Sequence, residues 1–292
     1  MKDIKITDVR VQTGDSGFLV DDGTTAILYD TGFAFTGYGV AENVKKLLGR
    51  RKLDYIFLTH SHYDHALGAA YVLKYWPNAK IVAGEYAAKI FAKPSAKAVM
   101  RDLDMKFARK CGVTEYEDLI DDLKVDIPVK DGDIIEAGTM VFQAINLPGH
   151  TRCSVGYYMP ENKLLLSTET LGVYKEDGTV IPSYLVGYNM TLESIAKVEA
   201  LDIETILIPH YGILIGEQTK RYLKASKTHT IKVAEDFMRL VGEDKSDEEI
   251  IGYYKSIYYK DEVTISYPLD AVNLNTGIML RLIKRECLGM DV

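Results

Sequence analysis

The feature that most constrains this chain is the stretch FLTHSHYDHALGA, residues 57–69, where ligand-type side chains crowd together. The sequence has only six histidines, and half of them lie here, as His60, His62 and His65, with Asp64 among them. In an apolar core each of these polar groups would need its own buried partner, so a core has little reason to place four of them side by side. Imidazoles and carboxylates are the ligands that Zn²⁺ and Fe²⁺ select. The stretch therefore predicts a metal site.

The cluster lies where a predicted strand ends and a predicted helix begins. Residues 54–59 have the composition of a buried strand, and ALGAAYVLKYW behind the cluster has helical spacing. Alternation along the strand points His60 and His62 to the same side. Asp64 and His65 then lie at the N-terminus of the predicted helix, where an aspartate is also a good capping residue. We expect the four side chains to converge at the carboxyl end of one strand.

Two further histidines each follow an apolar, strand-like run and a Pro, a Gly or both. His150 ends TMVFQAINLPGH, and His210 ends TILIPH. An isolated histidine in such a place is more often structural, but two in matching contexts beside the cluster predict additional ligands. His229, in KASKTHT on a predicted surface helix, lacks this setting, and we expect it to face solvent.

The order of predicted elements indicates the fold class. Predicted strands and helices interleave along the chain, and mainly helical segments follow Tyr211. This alternation favours one layered domain of the α/β or α+β class. A hairpin is predicted around residues 21–23, a helix at residues 41–50, and a charge-rich helical insertion at about residues 86–124.

Net charge and composition limit the classes of partner expected for this chain. The net charge of −7 results from 42 acidic and 35 basic residues, so a whole-surface attraction to nucleic acid or to anionic lipid is not expected. No apolar run approaches the roughly 18 residues that span a bilayer. The charged start MKDIKITDVRVQTG lacks the pattern of a targeting peptide, and three scattered cysteines fit a reducing compartment. We therefore expect a cytoplasmic protein that acts on a small molecule, without nucleic-acid or membrane partners.

The motifs THSHYDH, PGHT, STET and PHYG, in this order, resemble the metal motifs of the metallo-β-lactamase superfamily. The resemblance runs from about residue 4 to residue 212. It implies an α+β fold, the four-layer αββα sandwich, in which two facing sheets carry helices on their outer sides. It also implies a catalytic domain at 1–212 and a mainly helical C-terminal extension at 213–292, packed on the same domain.

The family's pattern implies two metal sites in this sequence. One would consist of three imidazoles, those of His60, His62 and His150. The other would consist of a carboxylate and two imidazoles, those of Asp64, His65 and His210.

Two more carboxylates follow from the resemblance. Asp30, in YDTG, matches an early strand-end motif in which it would orient the ligands. The family usually bridges its metals with an aspartate in a motif like SGD, whereas this sequence has Glu169 in LLLSTETLG. Glutamate is longer by one methylene, about 1.5 Å, so the strand end must lie farther back. We expect Glu169 to bridge the metals; the alternatives are that it binds one metal only or leaves the second site weak.

This set of ligands predicts a binuclear metallo-hydrolase. Two divalent ions, Zn²⁺ first and Fe or Mn as alternatives, can hold a hydroxide between them, because bound Zn²⁺ lowers the pKa of water to about 7. Asp64 would orient that hydroxide and exchange its proton. A GxSxG elbow, a Walker A motif and a helix-opening GxGxxG are all missing from the sequence. The predicted substrate is a small ester, thioester, lactone or phosphoester.

Two other functions stay open: an iron-dependent oxidoreductase of the same fold, flavodiiron or sulfur dioxygenase-like, and a non-catalytic metal-binding sensor. The helical C-terminal addition is also similar to that of the hydroxyacylglutathione hydrolase branch, although its glutathione-binding positions cannot be matched here. We expect tyrosines and a few cations to line the substrate's entrance. They are Tyr174, Tyr184, Tyr188, Tyr211, Lys220, Arg221 and Lys224.

Overall fold

The computed structural model describes residues 3–260, 263–264 and 268–291, which form two compact units. The first unit consists of Met1–Asn146, Cys153–Thr168 and Ile203–Leu214. The second unit consists of Leu147–Arg152, Glu169–Asp202 and Ile215–Val292. The domain division expected from the sequence, 1–212 and 213–292, stays a prediction, and its outermost residues Met1, Lys2 and Val292 lie outside the described residues.

The described helices and strands alternate along the first two thirds of the chain. The strands are β1 (Lys5–Asp8), β2 (Phe18–Asp21), β3 (Ala26–Tyr29), β4 (Tyr55–Phe57), β5 (Lys80–Gly84), β6 (Ile127–Val129), β7 (Ile134–Ala137), β8 (Met140–Asn146), β9 (Val155–Met159), β10 (Leu164–Leu166), β11 (Val173–Tyr174), β12 (Val180–Ile181), β13 (Thr205–Ile208) and β14 (Gly212–Ile215). The helices are α1 (Gly37–Leu48), α2 (Tyr63–Ala66), α3 (Ala69–Tyr75), α4 (Glu85–Phe91), α5 (Pro94–Lys110), α6 (Tyr188–Glu199), α7 (Glu217–Gly242), α8 (Asp247–Tyr258) and α9 (Leu269–Leu288).

Two six-stranded sheets form the first unit. The first sheet has the order β1-β2-β3-β4-β5-β6, and the second has the order β14-β13-β10-β9-β8-β7. The predicted hairpin is confirmed, since β2 and β3 pair antiparallel from Phe18↔Tyr29 to Asp21↔Ala26. Its turn is held locally, because the Asp22 carboxylate accepts the backbone N–H groups of Thr24 and Thr25 at 2.8 and 2.7 Å. With helices and mixed sheets together, the α+β class is confirmed.

Alternation along the strands of the first sheet separates two cores. Leu19, Leu28 and Ile56 belong to a cluster that includes buried residues of α1, α3 and α4. Their strand neighbours, such as Ile27 and Phe57, belong to a second cluster that includes buried residues of the second sheet. Successive strand side chains point to opposite faces, so this sheet is covered by helices on one face and by the other sheet on the opposite face. The first unit therefore has three layers, in the order helix, sheet and sheet.

The strand directions bring the carboxyl ends of several strands to the same edge of each sheet. In the first sheet β3 is parallel to β4, so the residues after them are neighbours. In the second sheet β8 and β10 are both antiparallel to β9, and β13 is parallel to β10. The carboxyl ends of these three strands therefore share one edge. The segments that begin there carry His150, Glu169 and His210.

The second unit is mainly helical and has its own core. Buried aromatic and aliphatic residues of α7, α8 and α9 form this core together with Tyr184 and Tyr188. Ser246 caps α8 by accepting the N–H of Glu249, whose carboxylate accepts the N–H of Ser246 in return. The chain after Tyr211 is mainly helical, as predicted, although the short strand β14 precedes α7. No helix in the described part of the chain is long and apolar enough to cross a bilayer.

Candidate metal centre

Asp30 organises the site of the first unit. It follows β3 and is fully buried, with a left-handed backbone (φ 53°) that non-glycine residues rarely adopt. Its carboxylate accepts the Thr59 N–H at 2.9 Å, the Thr59 hydroxyl at 3.1 Å and the Ser16 hydroxyl at 2.9 Å. It also accepts Nδ1–H of His65 at 2.7 Å. The expectation that Asp30 orients the ligand cluster agrees with these contacts.

His65 is held at both ends, so its unprotonated nitrogen is determined. Its ring Nδ1 donates to Asp30, and its backbone carbonyl accepts the Thr31 N–H at 2.8 Å and the Thr31 hydroxyl at 2.9 Å. A neutral imidazole carries one proton, and here the Asp30 carboxylate holds that proton on Nδ1. His65 Nε2 therefore presents a lone pair.

His210 is fixed in the same way by a different segment. Its Nδ1 lies 3.1 Å from the backbone carbonyl of Asp15, which can only accept. Its own carbonyl accepts the Arg10 guanidinium, and its backbone is left-handed with φ 63°. Such strain persists where surrounding contacts over-determine it, as these do. His210 Nε2 therefore presents a lone pair as well.

The two lone pairs face each other. His65 Nε2 and His210 Nε2 are 3.1 Å apart, and Asp64 Oδ2 lies 3.7 Å from each of them. All three residues offer ligand atoms within 4.8 Å of one another. A tetrahedral metal with bonds of about 2.0–2.1 Å places two ligand nitrogens about 3.3 Å apart. The three side chains therefore fit a divalent cation, which would relieve the repulsion between the lone pairs.

His60 and His62 lie beside this group. The His60 and His62 rings are 4.5 Å apart between centroids, and His60 lies 4.1 Å from His65 by the same measure. His60 is fully buried, and its Nδ1 is 2.9 Å from the Thr59 hydroxyl oxygen. Because the Thr59 hydroxyl donates to Asp30, it accepts from His60. His60 therefore also directs a lone pair from Nε2, and the half-buried His62 ring lies against it.

Within the second unit, His150 and Glu169 form a pair of the same kind. His150 Nδ1 lies 2.9 Å from the backbone carbonyl of Ser183, so its proton is held there. Its Nε2 is 3.0 Å from Glu169 Oε2, and both residues are buried. A lone pair beside a buried carboxylate again calls for a proton or a cation between them. The prediction that Glu169 bridges two metals stays a prediction.

A close-packed loop holds His150. Gly149 has φ 145°, and a Cβ at this position would lie 2.2 Å from Thr191 Oγ1. Its carbonyl accepts the N–H groups of Leu185 and Val186 at 2.9 Å each. The glycine of the PGHT motif is thus required by a close approach and by its backbone conformation together.

Sequence reasoning missed two buried carboxylates of the first unit. Burial raises the pKa of Asp15, whose carboxylate accepts the Thr36 hydroxyl at 2.8 Å. Burial also raises the pKa of Asp104 to about 6; this residue accepts the Ala34 N–H at 2.9 Å and the Tyr116 hydroxyl at 2.5 Å. In the sequence both residues look like surface aspartates, because the Thr36 hydroxyl and the Ala34 N–H that they accept lie 21 and 70 residues away along the chain.

Three expectations about individual residues are wrong. His229 is half-buried, with Nδ1 3.1 Å from the backbone N and 2.9 Å from the backbone O of Val180, because α7 packs on the strand that carries Val180. Tyr184 and Tyr188, expected at the entrance, are buried in the core of the second unit. The remaining entrance residues stay a prediction. Cys153 is buried, and its sulfur lies 3.3 Å from the Ser61 hydroxyl.

The chain matches one protein-family model and is similar in sequence to several known proteins. Residues 12–210 match the model of the metallo-beta-lactamase superfamily. A probable hydroxyacylglutathione hydrolase of Schizosaccharomyces pombe is 24% identical over 220 residues, which are 72% of this chain and 66% of that protein. A hydroxyacylglutathione hydrolase of Francisella tularensis subsp. holarctica is 25% identical over 171 residues, 56% of this chain and 52% of that protein. The chain thus spans about half to two thirds of the length of these relatives.

Among solved structures, a metallo-beta-lactamase family protein from Thermus thermophilus superposes with a TM-score of 0.63. The match covers 94% of this chain and 88% of that one. Sequence identity is 18%, so this likeness shows the fold alone.

Proposed function

Since the chain belongs to the metallo-beta-lactamase superfamily, we propose that it is a metal-dependent hydrolase of a small ester, thioester, lactone or phosphoester. The family and the α+β fold that the motifs predicted are confirmed. The activity itself is our inference, because the matched relatives are longer than the matched segment. Both relatives are named hydroxyacylglutathione hydrolases, which favours a thioester within this range of substrates.

The observation that carries the proposal is the facing pair of imidazole nitrogens. His65 Nε2 and His210 Nε2 lie 3.1 Å apart, and the opposite nitrogens face the Asp30 carboxylate and the Asp15 carbonyl, so in the neutral imidazoles both Nε2 atoms carry lone pairs. Uncharged lone pairs do not attract each other, so the arrangement is stable only around a cation or an additional proton. Ligand nitrogens preset by a carboxylate and a carbonyl are typical of metal-binding histidines.

We propose two sites for divalent ions, with Zn²⁺ first and Fe or Mn as alternatives. The second site would be held by Asp64, His65 and His210, whose geometry lies within the first unit. The resemblance of the motifs assigns the first site to His60, His62 and His150. Supporting it are three imidazoles, a donor set that suits Zn²⁺. Glu169 as a bridge between the two ions belongs to this proposal.

The chain's own residues would divide the chemistry. When bound, such ions supply a water that ionises near neutral pH and polarise the oxygen of the scissile group. Asp64 is half-buried, and its carboxylate would orient the attacking water and take up its proton. His65 and His210 keep their protons on Nδ1, so neither is a proton donor at the reacting centre. A small-molecule substrate, a cytoplasmic location and the lack of nucleic-acid or membrane partners remain parts of the proposal.

Metal analysis combined with turnover tests the proposal. The full chain would be reloaded separately with Zn²⁺, Fe²⁺ and Mn²⁺ and assayed on one ester, one thioester, one lactone and one phosphoester. We expect two metals per chain and hydrolysis of at least one substrate class. His210→Ala should lose one metal and the activity, whereas His229→Ala, a histidine of the second unit that contacts Val180, should keep both.

Two metals without hydrolysis of any class would contradict the hydrolase. Oxygen uptake with iron and no hydrolysis would favour the iron-dependent oxidoreductase instead. Bound metal with neither reaction would favour a sensor, and wild-type metal content in His210→Ala would refute the proposed second site.

A further inference from the structure

A cleft in the helical insertion of the first unit lies away from the sequence motifs. It is lined by residues of α4, by the first turn of α5 and by the segment at residues 121–125, and its volume is about 700 Å³. Small-molecule sites usually measure about 300–1,000 Å³. The cleft is therefore large enough for a small organic ligand.

One buried cation lies in this cleft. Lys97 is 9% exposed, and its Nζ donates to the backbone carbonyl of Asp121 at 2.8 Å. An ammonium has three N–H donors, and in the described part of the chain no carboxylate lies within 4.0 Å of this one. Lysine is almost never buried to this degree without a partner of opposite charge, because its desolvation is costly. Two donors of Lys97 are therefore available to a ligand.

The nearby carboxylates are directed elsewhere. Asp121 Oδ2 lies 3.1 Å from Arg101 Nη2, and Asp122 Oδ2 lies 3.5 Å from Lys74 Nζ. Both aspartate side chains are mostly exposed, so water also screens them. Lys97 additionally stands in the first turn of α5, where the helix dipole disfavours a cation and favours an anion. Neither aspartate therefore neutralises the Lys97 ammonium at the buried end of the cleft.

The remaining lining is largely apolar. Phe91 and Leu123 are 2% and 1% exposed, and Ala88, Ala92 and Val125 complete the wall beside them. An apolar wall next to a buried ammonium suits a molecule with a hydrocarbon body and one anionic end. A doubly charged phosphate suits it less, because the two aspartates at the rim would repel the second charge.

We propose that this cleft binds a small organic monocarboxylate, whose carboxylate pairs with Lys97 and whose apolar body packs on Phe91 and Leu123. The site is independent of the metal centre and adds a second ligand to the protein.

Calorimetric titration of the full chain with hexanoate tests the proposal, with 1-hexanol as the neutral analogue. Because carboxylates also bind metals, the titration would use metal-loaded and chelator-treated protein. We expect hexanoate to bind equally in both forms and at least tenfold more tightly than 1-hexanol. Lys97→Met should weaken hexanoate binding at least tenfold, and Lys97→Arg should largely preserve it.

Lys124→Met is the matched control, because this exposed lysine lines the same cleft. It should change hexanoate affinity less than about twofold, as expected for a solvent-screened charge. Ala88→Phe fills the cleft without removing the ammonium and should abolish binding, which keeps the test valid if Lys97→Met does not fold. Equal affinity for acid and alcohol, binding in the metal-loaded form only, or no heat up to about 10 mM hexanoate would each overturn the proposal.

Discussion

Replacing Asp30 by asparagine should move the ring proton of His65 from Nδ1 to Nε2. Asparagine keeps one carbonyl oxygen for the Thr59 N–H but presents an amide N–H₂ where Oδ2 now accepts Ser16 and His65. That amide donates to His65 Nδ1, which drives the ring proton to Nε2. The new Nε2–H then points at His210 Nε2, 3.1 Å away, and forms a hydrogen bond in the place proposed for the metal.

The magnitudes follow from these contacts. Asp30→Asn removes two hydrogen bonds to a charged acceptor, each contributing about 1.5–3 kcal/mol, and gains one neutral bond of about 1 kcal/mol. The free energy of unfolding of the metal-free protein should therefore fall by about 2–5 kcal/mol. Loss of an outer partner of a metal-binding histidine typically weakens metal affinity by about 10–100-fold. We expect a loss in this range at the site of His65 and His210.

Two measurements check this prediction. Competition with a chromophoric chelator gives the metal affinities, and urea unfolding of chelator-treated protein gives the stability. Ser16→Ala is the control: it removes one hydrogen bond to the Asp30 carboxylate without touching His65, so it should lower the free energy of unfolding by about 1.5–3 kcal/mol and leave metal affinity within about twofold. Wild-type affinity for both metals in Asp30→Asn would refute the reasoning from the imidazole proton.

Three further predictions follow from single contacts. In urea unfolding, Gly149→Ala should destabilise the protein by about 1–3 kcal/mol more than Gly178→Ala. Both glycines have positive φ, but only the Cβ at 149 would collide with Thr191. Equal losses of stability in the two variants would contradict this. Asp104 has a pKa raised to about 6, so the folded state retains a proton there that the unfolded state has lost, and the free energy of unfolding should fall by about 3 kcal/mol between about pH 4 and pH 6. Asp104→Asn should remove that slope in urea unfolding at a series of pH values, and an unchanged slope would assign it to other groups. Arg10→Ala frees the carbonyl beside the left-handed backbone of His210 and should weaken metal binding by about tenfold in the chelator competition, with partial rescue by Arg10→Lys.

Local chemistry explains the successful predictions of secondary structure. The turn after β2 could be predicted because Asp22 satisfies the N–H groups of the next residues with its own carboxylate. The helical spacing predicts a helix that begins at residue 41, four residues after the start of α1. The structure begins this helix at Gly37, where a Cβ would lie 2.7 Å from the Tyr71 ring, so the close packing of α1 on α3 outweighs propensity.

The residues predicted at the entrance of the site show what sequence patterns alone do not predict. Tyrosine suits both a wet rim and a dry core, and no spacing separated the two for Tyr184 and Tyr188. The structure places both in the core of the second unit, because α7, α8 and α9 provide the apolar surface around them. His229 was assigned to solvent for a similar reason, since its contact with Val180 joins segments about fifty residues apart.

By itself the sequence determined the types and the order of the candidate metal ligands, because the HxHxDH motif and the strand-end histidines are short-range patterns. Only the tertiary structure decided which nitrogen of each imidazole carries the lone pair. That choice depends on acceptors supplied from afar, Asp30 for His65 and the Asp15 carbonyl for His210. A ring proton goes to the nitrogen that meets an acceptor, and the acceptor's position is fixed only when distant segments pack together.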